Sequence, residues 1–238
     1  MYNKEKIDYR IIRGHVRECA VDQHGSRYIQ QTLEETKDED SQMAGPYMMM
    51  TESEESLENQ PFKDLVFHEV IPHLHPLIND VFGNYVIQKL LEFGSVQMRA
   101  TIADQILGYM LKLTKNKYGC RVIQKAFEFT DADQRHLLVS ELRNQNVLEL
   151  IKDQNANHVI QKCLESLSSA QTNFIVKAVN SKLDLLSSHM YGCRVLQKIL
   201  ENMCYKDSRK IVEHITHPNN FHTLILDQFG NYLIQTIM

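Results

Sequence analysis

The chain has 238 residues, of which 43% are hydrophobic, and a formal net charge of −4 at pH 7. This length suits one domain or two small ones, and the composition is sufficient for a hydrophobic core. No apolar run approaches the roughly 18 residues of a membrane span, and the N-terminal MYNKEKIDYR lacks the apolar stretch of a signal peptide. The five cysteines include no Cys-x-x-Cys pair, which is typical of reduced thiols. We expect a soluble, cytoplasmic protein that does not associate with membranes.

The first predicted helix contains HGSRYIQQTLE (24–34), and a similar segment returns five times along the chain. The later copies are FGNYVIQKLLE (82–92), YGCRVIQKAFE (118–128), NANHVIQKCLE (155–165), YGCRVLQKILE (191–201) and FGNYLIQTIM (229–238). Equivalent residues are separated by 58, 36, 37, 36 and 38 positions. Such a period is typical of helical-repeat proteins.

An acidic stretch at 37–60 lies between the first two copies and accounts for the long first spacing. It contains seven acidic residues and one lysine, so the rest of the chain has a net charge of +2. Its acidity and its lack of apolar periodicity predict a flexible loop inserted into the array. The mild positive charge that remains neither requires nor excludes an RNA partner.

Between the copies, the apolar residues keep helical spacing. In 95–113 these include Ile102, Ile106 and Met110, and the same pattern continues through 133–151. Each repeat is therefore predicted to contain two longer helices and a short one, and no segment favours a strand. We predict an all-α fold, in which stacked repeats form an α-solenoid with equivalent helices along one surface.

Three positions of the repeated helix show a restricted choice of residue. In the second copy, helical spacing puts the amides of Asn84 and Gln88 on one outward face, opposite Val86 and Leu90. The first position is Ser, Asn or Cys: Ser26, Asn84, Cys120, Asn157, Cys193 and Asn231. The second is Arg, Tyr or His: Arg27, Tyr85, Arg121, His158, Arg194 and Tyr232. The fifth is always glutamine: Gln30, Gln88, Gln124, Gln161, Gln197 and Gln235.

This combination suits a flat heteroaromatic ligand. An amide offers a donor and an acceptor together, which matches the edge of a base. Tyrosine, histidine and arginine all present a plane on which a base can stack. We therefore predict one base per repeat, with edge contacts from the first and fifth positions and stacking from the second. The lysine that follows the glutamine in four copies fits either a phosphate contact or an ordinary surface residue.

The array resembles the Pumilio (PUF) family of RNA-binding proteins over nearly the whole chain outside the insertion, most specifically in DVFGNYVIQK, YGCRVIQKA and DQNANHVIQKC. The resemblance implies a single RNA-binding domain over 1–238, shaped as a right-handed crescent with the repeated helices on its concave face. It implies binding to single-stranded mRNA 3′ untranslated regions, one base per repeat. Translational repression and mRNA decay are implied as well, with repressor or deadenylation-complex proteins on the outer face.

The resemblance also implies a base code, in which Asn with Gln selects uracil, Cys or Ser with Gln selects adenine, and Ser with Glu selects guanine. RNA runs antiparallel to the repeats in this family, so the site implied for this chain is 5′-UAUAUA-3′. Only the first six of the usual eight repeats are matched, the chain stops inside the sixth copy, and no Ser-with-Glu repeat occurs. This fits either a fragment or a shortened protein with relaxed specificity.

Two other binding functions and an enzymatic function are the alternatives to this interpretation. A protein-binding helical scaffold has no need to repeat these three positions, and a nucleolar relative with little base specificity is expected to be more basic. The histidine-rich HEVIPHLH (68–75) lacks the His-Glu-x-x-His register of a zinc protease, and no nucleophile elbow or phosphate loop occurs. We therefore expect no enzymatic activity, no cofactor and no metal.

Overall fold

The structure is a computed structural model that describes residues 9–36 and 61–238. Every regular element in those two ranges is a helix, and neither range contains a β-strand. The all-α prediction is therefore confirmed. The acidic stretch 37–60, for which a loop is predicted, lies outside the described residues.

The helices fall into two compact units, the first of which ends at Ile102. Its helices are two 3-10 turns at Tyr9–Ile12 and Ile71–His73, with α1 (Val16–Val21), α2 (Gln23–Glu35), α3 (Phe62–Val70), α4 (Leu74–Ile78), α5 (Gly83–Phe93) and most of α6 (Val96–Ile106). Helices α2 and α5 contain the first two copies of the motif and pack against each other. In α5 the predicted apolar residues Val86, Ile87 and Leu90 are buried, which gives this unit its core.

The second unit begins at Ala103, inside α6, and repeats one pattern of a short helix, a motif helix and a long helix. Its further helices are α7 (Met110–Lys115), α8 (Gly119–Phe129), α9 (Ala132–Arg143), α10 (Val147–Lys152), α11 (Ala156–Ser166), α12 (Ser169–Asn180), α13 (Leu183–Ser187), α14 (Gly192–Asn202), α15 (Tyr205–Thr216), α16 (Pro218–Leu226) and α17 (Gly230–Ile237). The motif helices α8, α11, α14 and α17 pack side by side in chain order. The predicted three-helix repeat is confirmed, while the single domain over 1–238 stays a prediction.

The two long runs of helical spacing are each broken into two helices. In the first run, α6 ends at Ile106 and α7 begins at Met110, because Gly108 adopts a left-handed conformation with φ of 81°. Glycine in this conformation commonly ends a helix. In the second run, the Asn146 side chain accepts a hydrogen bond from Glu149 N at 3.4 Å and starts α10 after the end of α9. Apolar spacing continues through both breaks, so periodicity alone does not show them.

The left-handed turn at Gly108 allows a prediction about stability. A Cβ atom added there would meet nothing within 4 Å, so an alanine encounters only the backbone cost of its positive φ. Gly108→Ala should lower the free energy of unfolding by about 1 kcal/mol, measured by urea denaturation. Gly108→Asn is the matched control and should lose less, because asparagine adopts this conformation more readily. An alanine variant as stable as the parent would contradict the argument.

Candidate nucleic-acid interface

A capping side chain precedes the first motif position by four residues in every copy. One of its atoms accepts hydrogen bonds from the backbone N–H groups two and three residues later, at 2.7–3.1 Å. The six acceptors are Asp22, Asp80, Asn116, Asp153, His189 and Asp227. Sequence reasoning missed them, although Asp, Asn or His at a fixed distance before each copy is a visible signal of a helix start.

His189 performs this capping role with a ring nitrogen. Its Nδ1 accepts from Tyr191 N and Gly192 N, both at 3.1 Å. Burial, and then the nearby positive charge of Lys152, lowers the pKa of His189. The imidazole therefore stays neutral at pH 7, and Nδ1 remains able to accept.

The first motif position is buried, which corrects the outward face predicted for Asn84. Five of the six residues are at most 2% exposed, and only Asn231 is half-buried. The five are Ser26, Asn84, Cys120, Asn157 and Cys193. The glutamines lie closer to the surface: five are half-buried, and Gln235 is exposed. The two side chains of a pair thus lie one behind the other instead of sharing the surface.

In the Asn repeats, the buried amide orients the glutamine. Asn84 Nδ2 donates to Asp80 O at 2.8 Å and to Val81 O at 3.1 Å, which uses both of its hydrogens. Its Oδ1 accepts from Gln88 Nε2 at 2.8 Å. The same bonds recur in the fourth repeat, where Asn157 Oδ1 accepts from Gln161 Nε2 at 2.9 Å. Each of these glutamines keeps one N–H donor and its Oε1 acceptor for a ligand. A base contact from Asn84 Nδ2 would have to replace one of its backbone bonds.

In the Ser and Cys repeats, the glutamine is held differently. Gln30 Nε2 donates to Ser26 Oγ at 2.9 Å, and Gln124 Nε2 donates to the backbone Cys120 O at 2.9 Å. Burial raises the pKa of the Cys120 thiol, so this residue is a small neutral group. Without a side-chain amide at the first position, the glutamine donates to a hydroxyl or to a backbone carbonyl instead.

The fifth repeat departs from this pattern. Gln197 Nε2 donates to Thr236 Oγ1 at 3.0 Å and lies 3.4 Å from Tyr232 O, so its amide is held by the next motif helix. Cys193 beside it is buried, and burial raises the pKa of its thiol as well. The local sequence around Gln197 is nearly the same as that around Gln124, so its neighbour in the next repeat decides the difference.

The second motif position is the most accessible of the three. Tyr85 is 51% exposed and Tyr232 is 40% exposed. All six residues are exposed except His158, which is half-buried. Burial, and then the positive charge of Arg121 in the preceding repeat, lowers the pKa of His158, so its ring is neutral at pH 7. These are planar groups at the surface, as stacking requires.

Two steps, each from one repeat to the next, show how these planar side chains are arranged. In the first unit, a cleft of about 320 Å³ lies beside Arg27 and Tyr85 and is also lined by Ser26 and Gln30. In the second unit, the Arg194 guanidinium lies 5.2 Å from the centroid of the Tyr232 ring, so these second-position groups face each other across adjacent repeats. Cations and aromatic rings at this distance attract each other. A base entering this step would have to separate the pair.

The described residues contain neither a candidate metal site nor a candidate membrane-spanning helix. No group of three or more His, Cys, Asp or Glu side chains within 9–36 and 61–238 is arranged to hold a metal ion. In the same part of the chain, no helix combines the length and the apolar character needed to cross a bilayer. In the histidine-rich segment 68–75, His68 Nδ1 lies within hydrogen-bonding distance of the backbone Asp64 O, at 2.6 Å.

Comparison with known proteins agrees with the repeat structure. The family model of the Pumilio-family RNA binding repeat matches residues 15–43, 73–107, 109–143, 146–179, 184–216 and 220–238. Among the solved structures, the Puf3 RNA-binding domain bound to the Cox17 RNA 3′ UTR site B superposes with a TM-score of 0.82 and 40% identity, over 97% of this chain and 58% of that one. The yeast Puf5p RNA-binding domain bound to MFA2 RNA gives a TM-score of 0.69 and 31% identity, over 94% of this chain and 56% of that one.

Curated relatives extend beyond the matched region. The "Pumilio domain-containing protein C6G9.14" of Schizosaccharomyces pombe is 36% identical over 91% of this chain and 28% of its own length. The "Putative pumilio homolog 7, chloroplastic" of Arabidopsis thaliana is 33% identical over 95% of this chain and 32% of its own length. The chain thus spans about a third or less of these relatives. With six family repeats and an α-solenoid fold shared with Puf domains, the chain belongs to the Pumilio family of RNA-binding repeat proteins.

Proposed function

We propose that the chain binds single-stranded RNA through its six motif helices, one base per repeat, with a preference for 5′-UAUAUA-3′. The observation that carries this proposal is the glutamine amide of the second and fourth repeats. Its orientation is set by a buried asparagine, and it keeps one donor and one acceptor beside the planar side chain of Tyr85 or His158. The edges of uracil and adenine both offer a complementary donor and acceptor. That Puf domains similar to this chain were solved with RNA bound supports the same partner class here.

The first-position and fifth-position residues act as a unit in this proposal. The glutamine supplies edge contacts, and the first-position residue determines how its amide points. Asn84 and Asn157 hold the amide through a side-chain oxygen, whereas Cys120 leaves it on a backbone oxygen. We assign uracil to the Asn repeats and adenine to the Cys and Ser repeats, with the sixth repeat at the 5′ end.

We further propose that binding takes place at 3′ untranslated regions of mRNA in the cytoplasm and represses the target transcripts. Repressor or deadenylation-complex proteins would then bind the side of the repeats opposite the motif helices. A reporter mRNA containing UAUAUA in its 3′ untranslated region tests this part. Expression of the chain should lower reporter protein relative to a reporter whose site is replaced by cytosines.

Direct titration tests the binding itself. A labelled oligonucleotide containing UAUAUA should bind at least about tenfold more tightly than one in which all six bases are cytosine, because a wrong base leaves amide groups unpaired. Both titrations are run at the same salt concentration, because phosphate contacts make affinity salt-dependent. Equal affinities would contradict base recognition and favour non-specific binding or a protein-binding scaffold.

A further inference from the structure

In the fourth and fifth repeats, the lysine that follows the motif glutamine lies between two carboxylates. Lys162 Nζ lies 3.5 Å from Glu128 in the preceding repeat and 3.3 Å from Glu165 in its own helix. Lys198 Nζ lies 2.9 Å from Glu165 in the preceding repeat and 3.0 Å from Glu201 in its own helix. These five residues form a continuous alternation of charge across α8, α11 and α14, here called the ion-pair ladder.

The same step occurs in the first unit. Lys89 in α5 pairs with Glu34 in α2 and lies 3.4 Å from Glu92 in its own helix. A lysine three residues before a glutamate therefore recurs together with a cross-repeat carboxylate in both units. This recurrence indicates a property of the repeat, because an accidental surface pair would not return at equivalent positions.

The ladder is poorly suited to binding phosphate. Its three glutamates are balanced by its two lysines and by Lys125, which lies 3.9 Å from Glu128, so the net charge is zero. The Lys162 and Lys198 side chains are only 23% and 29% exposed. The hydrogen bonds that Lys198 donates to Glu165 and Glu201 raise its pKa. Burial favours a higher pKa for Glu165, but its bonds with Lys198 and Lys162 outweigh this and hold the pKa below the usual range. Lys198 and Glu165 are therefore both charged at pH 7, and their charges neutralise each other.

The ladder ends at Glu201, at the step from α14 to α17. In α17 the residue after the motif glutamine is Thr236, not lysine, so Glu201 has no equivalent lysine in the next repeat. At this step Gln197 donates across the repeat boundary to Thr236, whereas Gln124 and Gln161 are each held within their own helix. The change in the residue after the glutamine thus coincides with a change in what holds the neighbouring amide.

We propose that Lys162 and Lys198 are positioning residues that fix the register between adjacent motif helices, and thereby the spacing of the base-contacting glutamines, and that they do not bind phosphate. Each lysine adjoins its glutamine in the chain, about 3.8 Å away between Cα atoms. Anchoring the lysine to the preceding repeat therefore restrains the helix backbone at the glutamine, while the direction of the amide itself depends on its own hydrogen-bond partners. This inference rests on the RNA binding proposed above.

The effects of two substitutions on RNA affinity distinguish a positioning role from a phosphate-binding role. Lys198→Met and Glu165→Gln should both weaken binding to the UAUAUA oligonucleotide, each by about threefold, because either one breaks the cross-repeat pair. The loss should fall on discrimination at the second and third bases, which α14 and α11 contact, and spare the sixth base. The slope of log affinity against log salt should not change. Lys198→Arg keeps both pairs and should bind like the parent. Arg209→Met is the matched control, because Arg209 pairs at 2.6 Å with Glu213 inside α15.

A phosphate-binding lysine gives the opposite pattern. Lys198→Met would then weaken binding and reduce the salt slope by about 0.7, whereas Glu165→Gln, which frees two lysines, would tighten binding. That pattern, or an unchanged affinity in both variants, would overturn the proposal. If the parent binds no RNA, the proposed function fails. A double-mutant cycle of Lys198→Met with Glu165→Gln, measured by urea unfolding, then still tests whether the cross-repeat pair holds adjacent motif helices together. Non-additive losses support it, and additive losses overturn it.

Discussion

Asn84→Asp should lower the free energy of unfolding by about 3 kcal/mol, since it places a charged group in a buried site where only the Gln88 amide remains to donate to it. Asn84 is 1% exposed, and its Nδ2 donates to two backbone carbonyls, Asp80 O and Val81 O. In the variant, a carboxylate oxygen faces those two carbonyl oxygens. The two donated bonds become repulsive contacts, and the start of α5 is left without them. Urea denaturation followed by circular dichroism measures the loss.

The sixth repeat supplies the matched control for this substitution. Asn231 Nδ2 donates to Asp227 O at 2.7 Å, as in the other Asn repeats, but the residue is half-buried. Asn231→Asp should therefore cost only about 1 kcal/mol, because water can solvate much of the new charge. Equal losses at the two positions would mean that burial of the first motif position does not determine its energetic role.

Cys193→Ser combined with Gln197→Glu should change the preferred second base of UAUAUA from adenine to guanine, with a shift of about 1–3 kcal/mol in discrimination. A carboxylate has only acceptors, and guanine offers the N1–H and N2–H donors that it needs. Adenine N1 is itself an acceptor and would be repelled. The carboxylate cannot donate to Tyr232 O as Gln197 does, which favours its turning toward the ligand. Competition binding with the four bases at that position measures the shift.

Arg194→Ala is the control for this recoding experiment. Its guanidinium lies over the Tyr232 ring, 5.2 Å from the ring centroid, in the role assigned to stacking. Removing it should weaken all four bases alike, because stacking tolerates any base. A double variant that still prefers adenine at the second position would show that the assigned register, or the base-contacting role of α14, is wrong.

Recurrence within the chain was sufficient to predict the helices, the six repeats and the accessible second position. Each of these depends on short-range spacing, which the sequence displays directly. Val86 and Leu90 are buried where helical geometry puts them, and Tyr85 is exposed as a stacking residue requires. The capping side chains are an equally short-range signal, because Asp, Asn or His stands four residues before the first motif position in every copy.

The burial of Asn84 was mispredicted because a helical wheel has no information about what packs behind the helix. Spacing alone places Asn84 on the same face as Gln88. In the structure, the preceding turn folds back so that Asp80 O and Val81 O lie against the Asn84 amide, and the residue becomes an internal support. The repeated choice of Ser, Asn or Cys at this position then reflects a small buried site as well as any contact with a base.

Partners contributed by another repeat were decided only by the tertiary structure. Gln124 and Gln197 occupy nearly identical local sequences, YGCRVIQK and YGCRVLQK, yet one is held by its own helix and the other by Thr236. Lys89 likewise pairs with Glu34, 55 residues earlier in the chain. The sequence by itself determined which residues recur and that they lie on helices, because those properties are periodic. Which first-position residues are buried, and which neighbour holds each glutamine or lysine, depends on how adjacent elements pack, and no spacing within one repeat encodes that.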